Sequence, residues 1–500
     1  MEMQEKLFTL ASVDFGSETG DDGDLEQLSA YFVEQPTFSK FLEQQNRFLI
    51  TTARKGVGKS ALLRWIAKKA VENDPSALVI RVRGADLVRA NFNLSAPLLT
   101  ANDYVSDWMV RLCALVNREL AKELQLRFED ESVALVATTE LSGFKSANLV
   151  HSLADRLQII YEKDEPNVDA IQYERFERSR GNGSRQVWLI IDDLDATFQN
   201  THGELLSLAS FFSACRYFAQ DFLGTSLRVS MRTDVWPLIR RFDEALDKVE
   251  QYVSEIIWPR AQFLKLLAVR VKVNLEHFGF SEEELNRKLM TSRGQETIVD
   301  KVFVPRMAWG EKNIETYKVI FTLSYERPRW AIQLCKLAQE AALREEGLLI
   351  SKEAIDQVWG EYGYKRISDL VAEHKHQCPQ VEELVNAFRG SERQMSTEIL
   401  LKWIKNHVSN HLETFIEGSS TRSPKEIARF LFRIGFIVAR SEDKDAGYEH
   451  YRFDQMPDLL SGNTNSDFNI SWEIHPCYRQ ALDISKLNQS HRERFKRTRS

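Results

Sequence analysis

Apolar positions in the first half of the chain follow two alternating patterns. Short, mostly apolar runs have the length and composition of buried β-strands. These runs lie at 47–52, 77–82, 187–191 and 227–231. The segments 61–70 and 203–222 instead have helical periodicity, with an apolar side that packs inward. Strands that alternate with helices in this way predict a parallel sheet covered by helices on both faces.

The second half of the chain changes its pattern twice. From about 260 to 360 the pattern is helical. After Pro379, helical stretches at 396–408 and 423–434 lead into the hydrophobic alternation that is typical of strands. The alternating segments are 436–440, 448–453 and 468–474. Helices followed by a β-ribbon predict a winged-helix module in this region.

Composition narrows the class of protein. The 500 residues are 43% hydrophobic and 28% charged, which excludes a wholly disordered or low-complexity chain. With 73 acidic and 66 basic side chains, the net charge of -7 excludes a globally basic nucleic-acid binder but not a local basic face. The five cysteines are odd in number and far apart, which favours neither a disulfide framework nor a CxxC metal site. Without a signal-peptide pattern or a run of about 18 apolar residues, we expect a cytoplasmic protein.

One segment carries a specific chemical signature. Residues 53–60 read ARKGVGKS, which departs from the phosphate-loop pattern GxxxxGK[ST] only at Ala53. In such a loop backbone N–H groups cradle a phosphate, Lys59 reaches the β- and γ-phosphates, and Ser60 ligates Mg²⁺. The alternative is a chance glycine-rich turn, but the flanking strand and helix favour the phosphate loop. The residues expected to contact the nucleotide are Ala53, Arg54, Lys55, Gly56, Val57, Gly58, Lys59, Ser60 and Ala61.

Acidic residues follow the clearest buried strand, 187–191. Because α/β sheets place ligands at the carboxyl ends of their strands, Asp192 is expected to hold Mg²⁺ and Asp193 to polarise the attacking water. Aspartate is one methylene shorter than glutamate, so we expect slow turnover. Asp195 is expected to be structural or a helix N-cap. Without a phosphate loop upstream, an ordinary acidic turn after a buried strand is the better interpretation.

Three arginines are candidates for contacts with the phosphates. Arg232 follows the strand at 227–231, where it can report a γ-phosphate; the alternative is an exposed surface arginine. Arg327 and Arg329 flank Pro328, which is well placed for the first turn of a helix. Both can face back toward the phosphates; the alternative is a capped helix with solvated arginines.

Five segments follow one another in a specific order. They are the ARKGVGKS loop, the IIDDLD strand end, and the MRTD, IIWPR and RPRWAI segments. Over about 30–490 they resemble the AAA+-related, STAND-type P-loop ATPases of bacteria, and their order is similar to the origin-recognition initiators. The resemblance implies ATP and Mg²⁺ as cofactors, Arg232 as a sensor-1-like residue, and Arg329, with Arg327, as sensor-2-like residues. Asp193 departs from the family pattern, since many members have glutamate there.

Pattern and resemblance together predict an α/β P-loop NTPase fold with a helical lid and a C-terminal winged-helix domain. The predicted segments are an acidic flexible lead-in at 1–29, an ATPase core at 30–259 with a helical insert at about 103–177, a helical lid at 260–375, a winged-helix domain at 376–484 and a basic tail at 485–500. The acidic lead-in is expected to be mobile unless another part of the chain docks it.

Nucleic acid is a candidate partner of the C-terminal region. Lys425, Arg429 and Arg433 share one helical face, although a solvated face interleaved with Glu426 explains them slightly better. Residues 490–500 carry four Arg and one Lys against one Glu, and can hold phosphates nonspecifically. A disordered tail is an equal alternative.

The expected function is an ATP-binding, slowly hydrolysing ATPase that acts as a nucleotide-dependent oligomerisation or conformational switch in bacterial (antiviral) defence or DNA transactions. The alternatives are an ATP-tuned DNA-binding protein of the initiator or transposition-helper type, and a non-hydrolysing scaffold. Expected partners are ATP, further copies of this chain, a separate effector protein and DNA, but no membrane. Arg240 and Arg241 lie near where an arginine acting on a neighbouring subunit is expected, although a solvated basic pair is the better interpretation.

Overall fold

The computed structural model of the chain has two compact units. The sheet unit is Thr19–Ile257, and the helical unit combines Met1–Glu18 with Trp258–Ser500. The structure describes residues 8–18, 25–89, 100–124, 186–195, 198, 201–222, 224–240, 244–310, 312–443, 447–461 and 470–484. The segment boundaries expected from the sequence stay predictions.

A five-stranded parallel sheet forms the centre of the sheet unit. Its strands are β1 (Phe48–Ala53), β2 (Leu78–Arg83), β3 (Val187–Asp192), β4 (Thr225–Arg232) and β5 (Val253–Glu255). Their order across the sheet is β2-β3-β4-β1-β5, and each pairing is parallel. β3 and β4 are buried over nearly their whole length, which explains their continuous apolar runs. The four longer strands confirm the prediction, whereas β5 is too short to leave a sequence pattern.

Helices pack against this sheet. They are α1 (Leu25–Tyr31), α2 (Lys59–Asn73), α3 (Gly84–Arg89), α4 (Ala101–Leu124), α5 (His202–Asp221) and α6 (Trp236–Arg240). Alternate strand residues such as Leu189 and Val229 share one core with Trp108 of α4 and Phe211 of α5. The predicted helical insert is helical as far as Leu124, and its remainder, 125–177, lies outside the described residues.

The helical unit begins with six helices and one hairpin. They are α7 (Arg260–His277), α8 (Glu282–Leu289), α9 (Ser292–Val299), β6 (Arg306–Trp309), β7 (Lys312–Glu315), α10 (Thr316–Leu323), α11 (Pro328–Arg344) and α12 (Lys352–His374). The prediction of an all-helical pattern up to 360 is wrong at the hairpin β6–β7. Its strands are short and largely exposed, with only Met307 fully buried, so they leave no strand pattern in the sequence.

The rest of the helical unit contains an antiparallel sheet of order β12-β11-β13-β8. Its elements are α13 (Val381–Asn386), β8 (Gln394–Ser396), α14 (Thr397–Ile404), β9 (Thr414–Ile416), β10 (Ser419–Thr421), α15 (Pro424–Arg433), β11 (Ile437–Asp443), β12 (Gly447–Tyr451), β13 (Ile470–Ile474) and α16 (Pro476–Arg479). The three predicted alternating segments correspond to β11, β12 and β13. The small hairpin β9–β10 was not predicted.

Residues 8–18 dock on the helical unit, so this part of the acidic lead-in is held in place. Phe15 is 1% exposed, with its ring 6.0 Å from that of Phe303. Asn274 accepts a hydrogen bond from the backbone N–H of Asp14 and donates to its carbonyl oxygen, at 2.7 and 2.8 Å. Gln339 donates to the carbonyl oxygens of Leu10 and Val13. Because these hydrogen bonds go to backbone groups, they fix the path of the segment without depending on its side chains.

Two expectations from composition can be compared with the fold. All five cysteines are free thiols, and each is buried except Cys113, which is half-buried. In the described part of the chain, no helix is both long and apolar enough to cross a membrane.

Candidate nucleotide-binding site

The loop between β1 and α2 has the backbone of a phosphate cradle. Gly56 and Gly58 adopt φ angles of 79° and 116°, a conformation that glycine reaches without strain. A Cβ atom on Gly58 would meet no described atom within 4 Å, so this glycine is required by the backbone conformation rather than by a lack of space. Ala53 is the last residue of β1, where extended backbone needs no glycine. The substitution of the first glycine is therefore compatible with this loop.

The start of α2 is prepared for an anion. Among the described residues no side chain caps this helix at Gly58, and its first turn contains no acidic residue. The unpaired N–H groups of a helix start and the helix dipole both favour a negative charge. Lys59 is 8% exposed, and its Nζ donates to the carbonyl oxygen of Ala53 at 3.1 Å. The ammonium group is thus held beside the loop, while Ser60 is half-buried in the same turn.

The remaining loop residues vary in exposure. Val57 is buried and its N–H donates to the carbonyl oxygen of Arg54 at 3.3 Å, which closes the turn. Arg54 is half-buried, Lys55 is exposed and Ala61 is half-buried in the first turn of α2. The contacts predicted for these residues with a nucleotide stay predictions.

Asp192 and Asp193 stand at the carboxyl end of β3. Asp192 Oδ1 accepts hydrogen bonds from Ser230 Oγ and from the backbone N–H of Asp193, the latter at 3.0 Å. Asp193 is exposed, and its N–H also approaches Ser230 Oγ at 3.1 Å. Its φ of 51° is in the left-handed region, which aspartate tolerates better than most residues. Ser230 of the neighbouring strand therefore fixes the acidic strand end.

Asp195 is buried, and it is not the N-cap of the helix that follows. Helix α5 is capped by Thr201, whose side chain accepts from the N–H of Glu204. Asp195 Oδ2 instead accepts from the backbone N–H of Arg232 at 3.0 Å. The N-cap interpretation of Asp195 is wrong, because the chain runs six residues further before α5 begins.

Arg232 is brought beside the phosphate loop. In the sheet register it pairs with Ala53, the first loop residue. Its Nε donates to Asp234 Oδ1 at 3.0 Å, its Nη2 binds Asp234 Oδ2, and Asp195 Oδ2 lies 3.8 Å from Nε. The side chain is 17% exposed, which disagrees with the alternative of a solvated surface arginine.

Arg327 and Arg329 belong to the helical unit and differ in surroundings. Arg327 is 1% exposed, with Nη1 2.8 Å from Glu373 Oε2 and its guanidinium 4.2 Å from the centre of the Trp330 ring. Burial lowers its pKa, but Glu373 together with Tyr478 and Tyr325 outweighs burial and raises the pKa above the ordinary value. The charge of Arg327 is thus engaged in a buried ion pair, and its predicted contact with phosphates stays a prediction. Arg329 is half-buried and stays the sensor-2-like candidate.

The other basic candidates are partly engaged by neighbouring groups. Arg240 Nη1 lies 2.6 Å from Glu250 Oε1, and Arg241 is outside the described residues. Arg433 pairs with Glu417 at 3.0 Å, and Arg429 donates to a carbonyl oxygen at 3.3 Å. The basic tail, 485–500, also lies outside the described residues.

The geometry defines the class of the sheet unit: it is an α/β P-loop NTPase fold. A parallel sheet carries the loop at the end of β1, an acidic strand end at β3 and an arginine at the end of β4. The sequence predicted the loop and the strand-end acids because their residues are contiguous. It missed Ser230, whose partner comes from another strand, whereas the structural interpretation of Asp195 agrees with its buried bond to the N–H of Arg232.

Comparison with known proteins gives remote similarities. A family profile described as "FunZ-associated C-terminal helical domain" matches residues 266–371. The "Putative transposon gamma-delta 80.3 kDa protein" of Escherichia coli strain K12 is 22% identical over 517 residues, covering 96% of this chain and 68% of that protein.

Two solved structures are also similar to this chain. The ORC2 protein of Aeropyrum pernix in its ADPNP-ADP complexes has a TM-score of 0.40 and 12% identity, covering 90% of this chain and 92% of its own. Domain III of the Thermotoga maritima replication initiation protein DnaA has a TM-score of 0.30 and 13% identity, covering 65% and 92%. Similarity this remote assigns no function.

Proposed function

We propose that this protein is an ATPase that binds Mg²⁺ and ATP at the loop 53–60 and hydrolyses ATP slowly. The observation that carries the proposal is the uncapped start of α2 behind two left-handed glycines, with the buried ammonium of Lys59 beside it. An anion placed there meets backbone N–H groups, a helix dipole and a fixed positive charge. The phosphate groups of a nucleoside triphosphate supply such an anion.

Magnesium suits the residues present. The described part of the chain has no cluster of three or more His, Cys, Asp or Glu that could hold a metal by itself. Mg²⁺ does not need one, because it keeps several waters and binds one or two protein oxygens together with substrate phosphates. Ser60 and Asp192 are the residues that would hold it, and the ion would neutralise phosphate charge.

Asp193 is the residue we assign to the attacking water. It is exposed at the carboxyl end of β3 and anchored through its N–H to Ser230. Its carboxylate can orient a water molecule, but its short side chain limits its reach. Slow hydrolysis suits a switch, in which the bound nucleotide persists long enough to set the state of the protein.

Nucleotide binding is tested with substitutions on α2. Lys59→Ala is expected to weaken ATP binding at least tenfold, about 1.4 kcal/mol, because the cradle loses its fixed cation. Lys69→Ala is the matched control, since Lys69 lies on the same helix and pairs with Glu72 at 2.7 Å. Isothermal titration with ATP and Mg²⁺ measures both. Equal affinities for the two variants would remove the proposed site.

Hydrolysis is tested separately from binding. Asp193→Asn keeps the left-handed backbone, which asparagine also tolerates, and removes the charge. We expect ATP affinity within about threefold of the wild type and phosphate release reduced at least tenfold. Unchanged phosphate release would assign the water to another residue.

A further part of the proposal is a nucleotide-dependent switch. Arg329 keeps the sensor-2-like role that the resemblance implies for it. The resemblance to STAND-type ATPases also implies that the protein assembles when it binds ATP. Mass measurement with and without ATP, on wild type and Lys59→Ala, tests it. A mass that ATP leaves unchanged would contradict assembly. Roles in defence and a separate effector protein stay predictions.

The second candidate function is ATP-tuned DNA binding. We propose that α14, α15 and the sheet β12-β11-β13-β8 form a winged-helix domain, with β11–β12 as the wing. The E. coli relative is named as a transposon protein, which supports a role in DNA transactions. Filter binding to duplex DNA against salt tests it: a slope of log affinity near zero, with and without ATP, would remove this candidate.

A further inference from the structure

The acidic turn after β3 carries a third carboxylate, Asp195, whose surroundings differ from those of its neighbours. Asp195 is 1% exposed, whereas Asp193 is exposed. Its Oδ2 is bound by the backbone N–H of Arg232 at 3.0 Å. Within the described residues no donor reaches Oδ1, which is buried as well. A buried carboxylate oxygen without a donor is unfavourable, so this side chain calls for an explanation beyond packing.

Two positive charges act on this carboxylate. Burial raises the pKa of Asp195 above its ordinary value, and the charges of Lys59 and Arg232 offset part of that rise. Lys59 Nζ donates a hydrogen bond to the carbonyl oxygen of Ala53, and Arg232 is paired with Ala53 in the sheet register. All three groups therefore gather at the adjacent ends of β1 and β4. Asp195 acts on both cations, and Asp234 also binds the Arg232 side chain through both of its carboxylate oxygens.

We propose that Asp195 is a positioning residue of the nucleotide site: it anchors Arg232 and shares its charge with Lys59, so that the site distinguishes a nucleoside triphosphate from a diphosphate. This inference rests on the proposed function of the loop as an ATP site. A carboxylate between two cations reduces their attraction for any anion. It also fixes the main chain of Arg232, so that this guanidinium meets a terminal phosphate from a defined position.

The charge of Asp195 can be removed while its shape is kept. In Asp195→Asn the two cations attract a diphosphate more strongly, so ADP affinity is expected to rise severalfold. For ATP the same gain is offset by the lost alignment of Arg232. The ratio of ATP to ADP affinity is therefore expected to fall about tenfold. A purely structural role would lower both affinities together and leave the ratio unchanged.

Asp107 provides the matched control. It is a buried aspartate of the same unit, its Oδ2 lies 2.8 Å from Arg111 Nε, and its Oδ1 has no donor within the described residues. It therefore shares the burial and pairing of Asp195 but belongs to α4 rather than to the site. Asp107→Asn is expected to keep the wild-type ratio of ATP to ADP affinity.

The experiment titrates the full-length protein with fluorescent ATP and ADP in the presence of Mg²⁺. The proteins are wild type, Asp195→Asn, Arg232→Gln, Asp107→Asn, Lys59→Ala, and Asp195→Asn combined with Arg232→Gln. If Asp195 acts through Arg232, adding Arg232→Gln to Asp195→Asn lowers the ratio little further, because the two effects are not additive. Additive effects on the ratio would overturn the proposal.

The outcomes separate the two levels of inference. Nucleotide binding that survives Lys59→Ala unchanged would contradict the proposed function itself. If binding depends on Lys59 but Asp195→Asn keeps the wild-type ratio of ATP to ADP affinity, only the proposed role of Asp195 is contradicted. If Asp195→Asn does not fold, Asp195→Glu, which keeps the charge and shifts it by one methylene, takes its place. A reduced ratio in that variant supports the proposal, and an unchanged ratio overturns it.

Discussion

Gly84 sets the position of the acidic turn. A Cβ atom at this residue would lie 2.2 Å from the Cα of Leu194, so only glycine allows the start of α3 to approach the turn. Leu194 stands between Asp193 and Asp195, and a displacement of its backbone moves both carboxylates. Gly84 thereby contributes to the site without approaching a nucleotide.

Gly84→Ala is expected to lower the free energy of unfolding by about 1–3 kcal/mol, as overpacking does. It is also expected to reduce ATP hydrolysis at least tenfold, because catalysis is sensitive to displacements of about 1 Å. Gly203→Ala is the control, since among the described residues a Cβ there meets only Tyr104 Oη, at 4.0 Å. Urea unfolding and phosphate release measure the two effects. A Gly84→Ala protein that matches Gly203→Ala in both would contradict the close approach.

Glu473 illustrates a charge that supports the fold rather than the site. Its carboxylate is fully buried, within 2.6 Å of Arg440 and 2.5 Å of Arg479, and His450 approaches at 3.0 Å. Burial alone would raise its pKa, but Arg479, His450 and Arg393 outweigh burial and hold the pKa well below the ordinary value of 4.5. A carboxylate with a lowered pKa stabilises the folded state at neutral pH and loses this effect in acid.

Glu473→Gln is expected to lower the free energy of unfolding at pH 7 by about 3–5 kcal/mol, because it leaves the buried Arg479 and the half-buried Arg440 without their counter-charge. The difference from the wild type should shrink as the pH falls below about 4.5, where the unfolded state takes up the proton first and the folded state follows. Urea unfolding at several pH values measures it. A difference that does not change with pH would show that packing, not charge, is lost.

At the level of single residues, sequence predicts what is contiguous. The loop 53–60 and the strand-end acids Asp192 and Asp193 were found because a local pattern specifies them. The bond of Asp195 to the N–H of Arg232 and the approach of Gly84 to Leu194 were not predicted, because each joins segments that are far apart in sequence. The ion pair of Arg327 was not predicted for the same reason, since its partner Glu373 is 46 residues away.

At the level of elements, the turn between α10 and α11 is unusual. Tyr325 and Glu326 both have left-handed backbone, with φ of 53° and 61°. The turn contacts the C-terminal part of the helical unit: the Tyr325 ring packs on His475 at 4.0 Å, and Glu326 pairs with Arg452. Two consecutive strained residues persist only where their surroundings hold them.

Gly435→Ala tests how closely this turn is held. A Cβ atom at Gly435 would lie 2.3 Å from Tyr325 Oη, and the φ of +79° is itself unfavourable for alanine. Gly390→Ala is the matched control, because its φ of +70° carries the same strain but no described residue lies within 4 Å of a Cβ there. We expect Gly390→Ala to cost about 1 kcal/mol and Gly435→Ala at least about 2 kcal/mol more.

Differential scanning calorimetry compares these two variants in wild-type and Tyr325→Ala backgrounds. Truncation of Tyr325 is expected to remove the excess cost of Gly435→Ala and to leave Gly390→Ala unaffected. An excess that persists in the Tyr325→Ala background would place the clash elsewhere.

Elements were predicted unevenly, and their size explains why. The long strands β1 to β4 and the capped helix α15 leave clear patterns, because burial fixes the residue type at many successive positions. The hairpins β6–β7 and β9–β10 and the strand β5 have three or four residues per strand and little burial. Too few positions are constrained in them for a periodicity to emerge.

At the scale of the whole molecule, the helical unit is discontinuous in sequence. It takes residues 1–18 from one end of the chain and returns at Trp258 after the sheet unit is complete. Docking of residues 8–18 depends on contacts that the acidic composition of the segment did not reveal. Phe15 is the apolar anchor, and Asn274, Gln339 and Arg270 bind the backbone around it.

Phe15→Ala is expected to release this segment, because removing a buried phenylalanine ring costs about 3–5 kcal/mol where the site cannot collapse. Amide hydrogen exchange should then accelerate at least tenfold in residues 8–18. Phe280→Ala is the control, since Phe280 is also aromatic and lies 6.2 Å from Phe8 but is 42% exposed. Equal exchange in the two variants would mean that the backbone hydrogen bonds alone hold the segment. The triple variant Asn274→Ala, Gln339→Ala, Arg270→Ala would then be expected to release it with Phe15 intact.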